Sequence, residues 1–176
     1  MQVRRQIRRS NPGQRTPDAL LHQALIVMAG GEVRPATIDD LDALRGVYRR
    51  ASLSNEGDRP FLRAHPELLE LGERSWGEGR TIVATAAGDV VGFATTTAAA
   101  GYLELDALFV DPDHRRAGHA TRLMAAVCDT ARRAGVRRIE VSANEHARSF
   151  YEGAGFEQVG MVDTLDQPVP RMHLAV

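Results

Sequence analysis

Apolar residues between positions 33 and 176 switch repeatedly between a period of two and a period near 3.6, the pattern of strands interleaved with amphipathic helices. Val33-Arg34-Pro35-Ala36 reads as a short strand. Thr37 then caps a helix, with Asp40 as its capping-box partner and Leu41, Leu44, Tyr48 and Ala51 on one face. A polar loop from Ser52 to Pro60 leads to a second helical stretch, in which Leu68, Leu69 and Trp76 are the expected buried residues. Thr81 to Ala87 and Val90 to Thr97 are β-prone runs joined by Gly88-Asp89, a spacing that predicts a tight hairpin. Tyr102 to Val110 is the next strand.

Ala120, Leu123, Met124, Val127, Ala131 and Ala134 form the apolar stripe of a long helix that Gly135 ends. Arg138 to Ser142 is a strand, and Glu145 to Ala154 a helix that gathers Ala147, Phe150, Tyr151 and Ala154 before Gly155. Phe156 to Val162 and Arg171 to Val176 complete the strands. There are too few strand–helix alternations for a doubly wound sheet.

Residues 1–30 read differently from residues 31–176 and are separated from them as an N-terminal extension. Arg4, Arg5, Arg8, Arg9 and Arg15 face one acid, Asp18, while Leu20, Leu21, Ala24, Leu25 and Val27 recur at helical spacing. A mobile or loosely docked extension is the first reading. A helix for a partner or homodimer contact is the second, and a basic arm for nucleic acid the third. Over the whole chain the net charge is −1, which offers no general attraction to nucleic acid or membrane. No apolar run approaches the ~18 residues of a membrane span. The single cysteine, Cys128, forms no internal disulfide and suits a reducing, cytoplasmic setting. On its helix it is expected to be a buried, inert thiol.

Chemistry concentrates in two segments. The first runs from Leu108 through Asp111-Pro112 and Arg115-Arg116-Ala117-Gly118-His119-Ala120 into the long helix. A strand end, two arginines, a glycine and a helix N-terminus together form a place for phosphate. A P-loop is excluded because the Gly-Lys-Ser/Thr ending is absent. A dinucleotide fingerprint is excluded because no G-x-G-x-x-G occurs. The second segment is Asn144-Glu-His-Ala147-Arg-Ser-Phe150-Tyr151-Glu-Gly-Ala-Gly155-Phe156.

Together these segments resemble the GNAT superfamily of N-acetyltransferases, whose turn carries Gln or Arg, two residues, Gly, any residue, then Gly or Ala. Arg115-x-x-Gly118-x-Ala120 fits that pattern. The resemblance covers Val33 to Val176 and is strongest from Tyr102 to Phe156. It implies an α/β (α+β) domain with a central mixed, mostly antiparallel, splayed sheet and helices on both faces. It further implies direct acetyl transfer from acetyl-CoA to a primary amine of unknown identity. Leu108, Phe109 and Val110 would pair with the pantetheine amides through freed backbone groups. Arg115, Arg116, Ala117, Gly118, His119 and Ala120 would hold the pyrophosphate.

Asn144 resembles the family's cofactor-bonding asparagine, and Tyr151 the tyrosine that protonates the leaving thiolate. Phenol and alkyl thiol titrate in neighbouring ranges, so that proton transfer is nearly balanced. Glu104 is the expected general base. Asp106 on the same face, Glu140 on the next strand, or water are the alternatives.

His119 stands where the family usually has an aliphatic residue, and a partly exposed or hydrogen-bonded histidine is expected there. No metal is expected, because His114 and His119 have no third ligand nearby in sequence. Glu56, Asp58, Asp163 and Asp166, in loops expected to border the acceptor, would favour a cationic amine. The competing function is an acyl-CoA sensor without efficient turnover.

Overall fold

The computed structural model describes residues 33–72, 76–77, 79–164 and 167–176. The proposed extension and its helix at Leu20 to Val27 lie outside the described residues, as does Asp166. A seven-stranded sheet organises the chain in the order β1-β2-β3-β4-β5-β7-β6. The strands are β1 (Val33–Pro35), β2 (Thr81–Ala86), β3 (Asp89–Ala99), β4 (Tyr102–Val110), β5 (Arg138–Ser142), β6 (Glu157–Val162) and β7 (Val169–Ala175). Every neighbouring pair is antiparallel except β4 and β5, which run parallel.

Among the described residues four α-helices accompany the sheet: α1 (Leu41–Leu53), α2 (Arg59–Ala64), α3 (His119–Arg133) and α4 (Glu145–Gly153). One core joins the apolar faces of α3 and α4 to the sheet, with Leu103, Leu105, Leu123, Val127, Ile139 and Met172 at its centre. A second core on the other face packs Leu44 and Val47 of α1 on Val83, Phe93 and Ala107. Burying side chains of this size stabilises by about 1.5–3 kcal/mol each, so both faces depend on their helices.

Several local expectations shift by a residue or more. The hairpin turn is Ala87-Gly88 rather than Gly88-Asp89: Ala86 pairs with Asp89, and both turn residues have positive φ, 52° and 95°. That is the twist a two-residue hairpin loop requires. α1 continues through Ser52 and Leu53, which shortens the polar loop. The second helical stretch is divided: α2 stops at Ala64, and a 3-10 turn over Pro66–Leu69 carries the buried Leu69. β7 begins at Val169, two residues early.

Two irregularities in β4 position the functional region. Thr95 pairs with Ala107 and Thr96 with Leu105, so Asp106 is an extra residue without a partner in the ladder, a β-bulge. The bulge reverses the side-chain phase. Leu103 and Leu105 belong to the core beneath α3 and α4, whereas Ala107 and Phe109 face the core beneath α1. β4 also separates from β5 early. Only Leu103 and Glu104 pair across that seam, with Ile139 and Glu140, although β4 continues to Val110. From Leu108 to Val110 the strand is paired on the β3 side alone. Gly92 lets β3 and β4 approach there, since a Cβ would stand 2.9 Å from the Phe109 carbonyl oxygen.

Candidate active site

β4 runs directly into the turn before α3, and one buried carboxylate organises that turn. Asp111 donates its backbone N–H to Val91 O at 2.8 Å, and its side chain accepts from Asp113 N at 3.0 Å and Arg50 Nε at 2.7 Å. Burial pushes the Asp111 carboxyl upward. The Arg50 guanidinium and the Asp113 amide outweigh it, and the net shift is downward. Arg50 thereby ties α1 to the turn. Arg115 donates to Ser54 Oγ at 2.5 Å, a second tie to the end of α1.

Beyond Arg115 the backbone turns through two left-handed residues, Arg116 (φ 62°) and Gly118 (φ 81°). The latter is the N-cap of α3 and offers no side-chain cap. The first intrahelical bond runs from Arg122 N to Gly118 O at 3.0 Å. The N–H groups of His119, Ala120 and Thr121 therefore have no acceptor within the helix. The first turn also lacks an acid. Free donors, the positive end of a 15-residue helix and flanking arginines make an anion site.

His119 departs from expectation. Its side chain is buried, with 6% of its surface exposed, and its Nδ1 has no hydrogen-bond partner among the described residues. It packs edge-on to His114, with 6.3 Å between ring centroids. His119 is absent from the lining of the adjoining cavity. Cys128 is buried, and burial pushes its thiol upward, away from the reactive thiolate.

That cavity has a volume of about 770 Å³, within the roughly 300–1,000 Å³ usual for small-molecule sites. The unpaired end of β4 (Leu108, Phe109, Val110), the turn (Arg115, Arg116, Ala120) and α4 (Asn144, Ala147, Phe150, Tyr151) all line it. Phe61 and Leu62 of α2, Asp58 before them, and Thr164, Gln167 and Val169 around the β6–β7 connection also line it.

Asn144 is the N-cap of α4, and its Oδ1 accepts from Ala147 N at 2.9 Å. Its oxygen is thus engaged, and its amide N–H groups are what it can offer a ligand. Tyr151 stands two turns along, buried, its ring edge-on to Phe150 and Phe156. Burial pushes its phenol well above the ordinary range. The hydroxyl makes no hydrogen bond among the described residues, and Tyr151 lines the cavity.

The carboxylates expected to act as bases are engaged elsewhere. Both Glu104 oxygens accept from Arg171, at 2.6 and 2.5 Å. Arg171 also donates to Glu140 at 2.7 Å, and Arg138 closes the network at 2.8 Å from Glu140. The Glu104 hydrogen bonds, then those of Glu140, raise the Arg171 guanidinium further against its own desolvation. Asp106, the bulge residue, accepts from Thr97 Oγ1 at 2.6 Å and from Arg80 at 3.1 Å. None of Glu104, Asp106 and Glu140 lines the cavity. Glu104 is thus held through both oxygens by Arg171, outside the cavity lining.

Of the acids expected near the acceptor, Asp58 lines the cavity. Glu56 and Asp163 are exposed outside it. Sequence reasoning missed His146, which lines the cavity beside Asp58. Its place two residues after Asn144 on the cavity-lining helix was the available signal.

The family model described as the acetyltransferase (GNAT) family matches residues 44–156. No curated protein matches the chain significantly. Among solved structures, Ard1 from Thermoplasma volcanium is 24% identical, with a TM-score of 0.63, covering 84% of this chain and 99% of its own. PaiA N-acetyltransferase from Thermoplasma acidophilum, in complex with coenzyme A, is 19% identical, with a TM-score of 0.62 and coverage of 82% and 98%. Ribosomal-protein-S18-alanine N-acetyltransferase from Escherichia coli is 23% identical, with a TM-score of 0.60 and coverage of 81% and 92%. These likenesses extend the agreement in fold beyond the matched segment, which itself spans the strand, turn and helices of the cavity. The chain belongs to the GNAT acetyltransferase family and is an N-acetyltransferase that uses acetyl-CoA.

Proposed function

We propose that the enzyme transfers acetyl directly from acetyl-CoA to a primary amine, using the cavity between β4, α3 and α4. One observation carries this reading: the uncapped N-terminus of α3 and the buried Tyr151 open onto the same space. The N–H groups of His119 and Ala120, with Arg115 and Arg116, take the pyrophosphate of coenzyme A. The unpaired edge of Leu108 to Val110 takes the pantetheine amides as an added strand would be taken. Backbone N–H groups on that edge stabilise the carbonyl oxygen as it gains charge, and the Asn144 amide donates from the α4 side.

Tyr151 holds a proton at its phenol oxygen and delivers it to the departing sulfur. Its raised phenol stays protonated throughout the working range. The test is a screen of amines with labelled acetyl-CoA. Transfer to a primary amine without a labelled protein intermediate is expected, and a stable acetyl-protein would sink direct transfer.

A further inference from the structure

The cavity lining carries both signs of charge. Arg115 and Arg116 supply cations, while Asp58 is the one carboxylate in the lining among the described residues. A polyanionic cofactor seated on the arginines leaves Asp58 to a cation. Asp58 is itself held in place, accepting from Asn55 Nδ2 at 3.0 Å. Across from it, in the first turn of α4, His146 Nε2 stands 3.8 Å from Asp58 Oδ1. The same edge of the ring lies against Gly57, where a Cβ would meet Nε2 at 3.5 Å. Phe61, Leu62, Phe150 and Val169 provide apolar surface in the same cavity.

The geometry points to His146 and Asp58 as the acceptor seat: Asp58 pairs with a primary ammonium carried on an apolar stem, and His146 takes its first proton. This rests on the direct-transfer reading above. It fills a vacancy in the mechanism, because Glu104 and Glu140 are bound to Arg171, and Asp106 to Thr97 and Arg80. An ammonium has no lone pair until a proton leaves. His146 accepts that proton on its nitrogen and releases it to solvent through its half-exposed side. The freed amine nitrogen forms the new bond to the acetyl carbon, and the carbon–sulfur bond breaks. Tyr151 gives its proton to sulfur and recovers the second proton from nitrogen. One ammonium and one thioester yield one amide, one thiol and one proton.

Charged groups near the imidazole are Asp58 from the α1–α2 connection, Glu145 and Arg148 on its own helix, and Arg115 and Arg116 across the cavity. Thr164 and Gln167 on the β6–β7 side are uncharged.

The test uses the full chain with acetyl-CoA, and phenethylamine and hexylamine as probes. At pH 7, His146→Ala should lower kcat about 100-fold. Added imidazole, or a pH high enough to populate the free amine, should restore much of it. The KM for acetyl-CoA should stay within twofold. Asp58→Asn should raise the amine KM about tenfold and leave acetyl-CoA unaffected. Thermal unfolding checks folding, and the half-exposed His146 side chain makes a folded variant the expected result.

A kcat within threefold of wild type in His146→Ala overturns the proposal, as does a loss that neither imidazole nor pH relieves. Failure of the wild type to acetylate either probe while binding coenzyme A overturns the apolar-stemmed acceptor. Tyr151→Phe in the same assay separates the two readings, since imidazole cannot relieve its loss. Normal turnover in Tyr151→Phe beside a failing His146→Ala sinks only the assignment of Tyr151.

Discussion

Two helices begin at the same cavity, and their first turns are built in opposite ways. α4 is closed: Asn144 caps it with a side-chain oxygen, and Glu145 meets its positive end. α3 is open, with a left-handed glycine in the capping position, no capping side chain and no acid in the first turn. A glycine in place of a capping side chain costs a few tenths of a kcal/mol of helix stability. α3 tolerates this because its apolar face, including the fully buried Leu123 and Ala131, anchors it. The difference teaches where each helix contributes. α3 leaves the donors of its first turn uncapped, whereas α4 caps one of its own and sets Tyr151 in the cavity wall.

The comparison can be broken most severely at α4. Tyr151→Phe should lower turnover by about 10²-fold while coenzyme A affinity, followed by calorimetry, changes little. Unchanged turnover would leave α4 with no chemical role. Next in size is Gly118→Asp, which gives α3 the kind of cap α4 already has. Asp tolerates the left-handed conformation better than most residues but less well than glycine, so the melting temperature should fall modestly with the fold kept. Coenzyme A affinity should fall at least tenfold, because the carboxylate occupies and repels the anion site. Unaltered affinity would place the phosphate elsewhere.

Asn144→Ala, which opens α4, should cost about 1 kcal/mol in denaturant unfolding and weaken coenzyme A less than the change at Gly118. The smallest effect concerns a third, closed start ahead of α1. There Asp40 accepts from Thr37 N at 2.8 Å and from Arg34 twice at 2.7 Å. The Arg34 hydrogen bond, then the Thr37 amide, hold its carboxyl at about 2 against the opposing effect of burial. A depressed carboxyl stabilises the fold above its ordinary value of 3.8, and that contribution is lost as pH falls toward about 2. With Arg34 half exposed the loss is about 1 kcal/mol. Asp40→Asn should remove this part of the acid dependence of the melting temperature.

Much of this arrangement is legible in the sequence because it is local. Tyr102 to Val110 and Arg138 to Ser142 are strands with the predicted bounds. The turn into α3, the Gly135 stop and the Thr37–Asp40 pair are set by neighbours a few residues apart. What escapes is set by distance along the chain. Glu104 looks free until Arg171 reaches it from 67 residues away. Asp58 and His146 are still farther apart in sequence and meet only once α2 and α4 are placed. His119 follows the apolar stripe of its helix, i to i+4 with Leu123, and is buried where a polar helix start suggested exposure. Strict alternation along β4 would put Leu103, Leu105, Ala107 and Phe109 on one face, and the bulge at Asp106 divides them.

That single surplus residue sets the frame for everything downstream. Were β4 to run through Asp106 without the bulge, every residue after it would turn through half a revolution. Ala107 and Phe109 would then press toward α3, and Leu108 and Val110 toward α1. The turn carrying Arg115 and Gly118 would leave the sheet pointing toward the wrong layer. Straightening this one position would act as a frameshift in three dimensions, leaving every amino acid in place while misdirecting the loop.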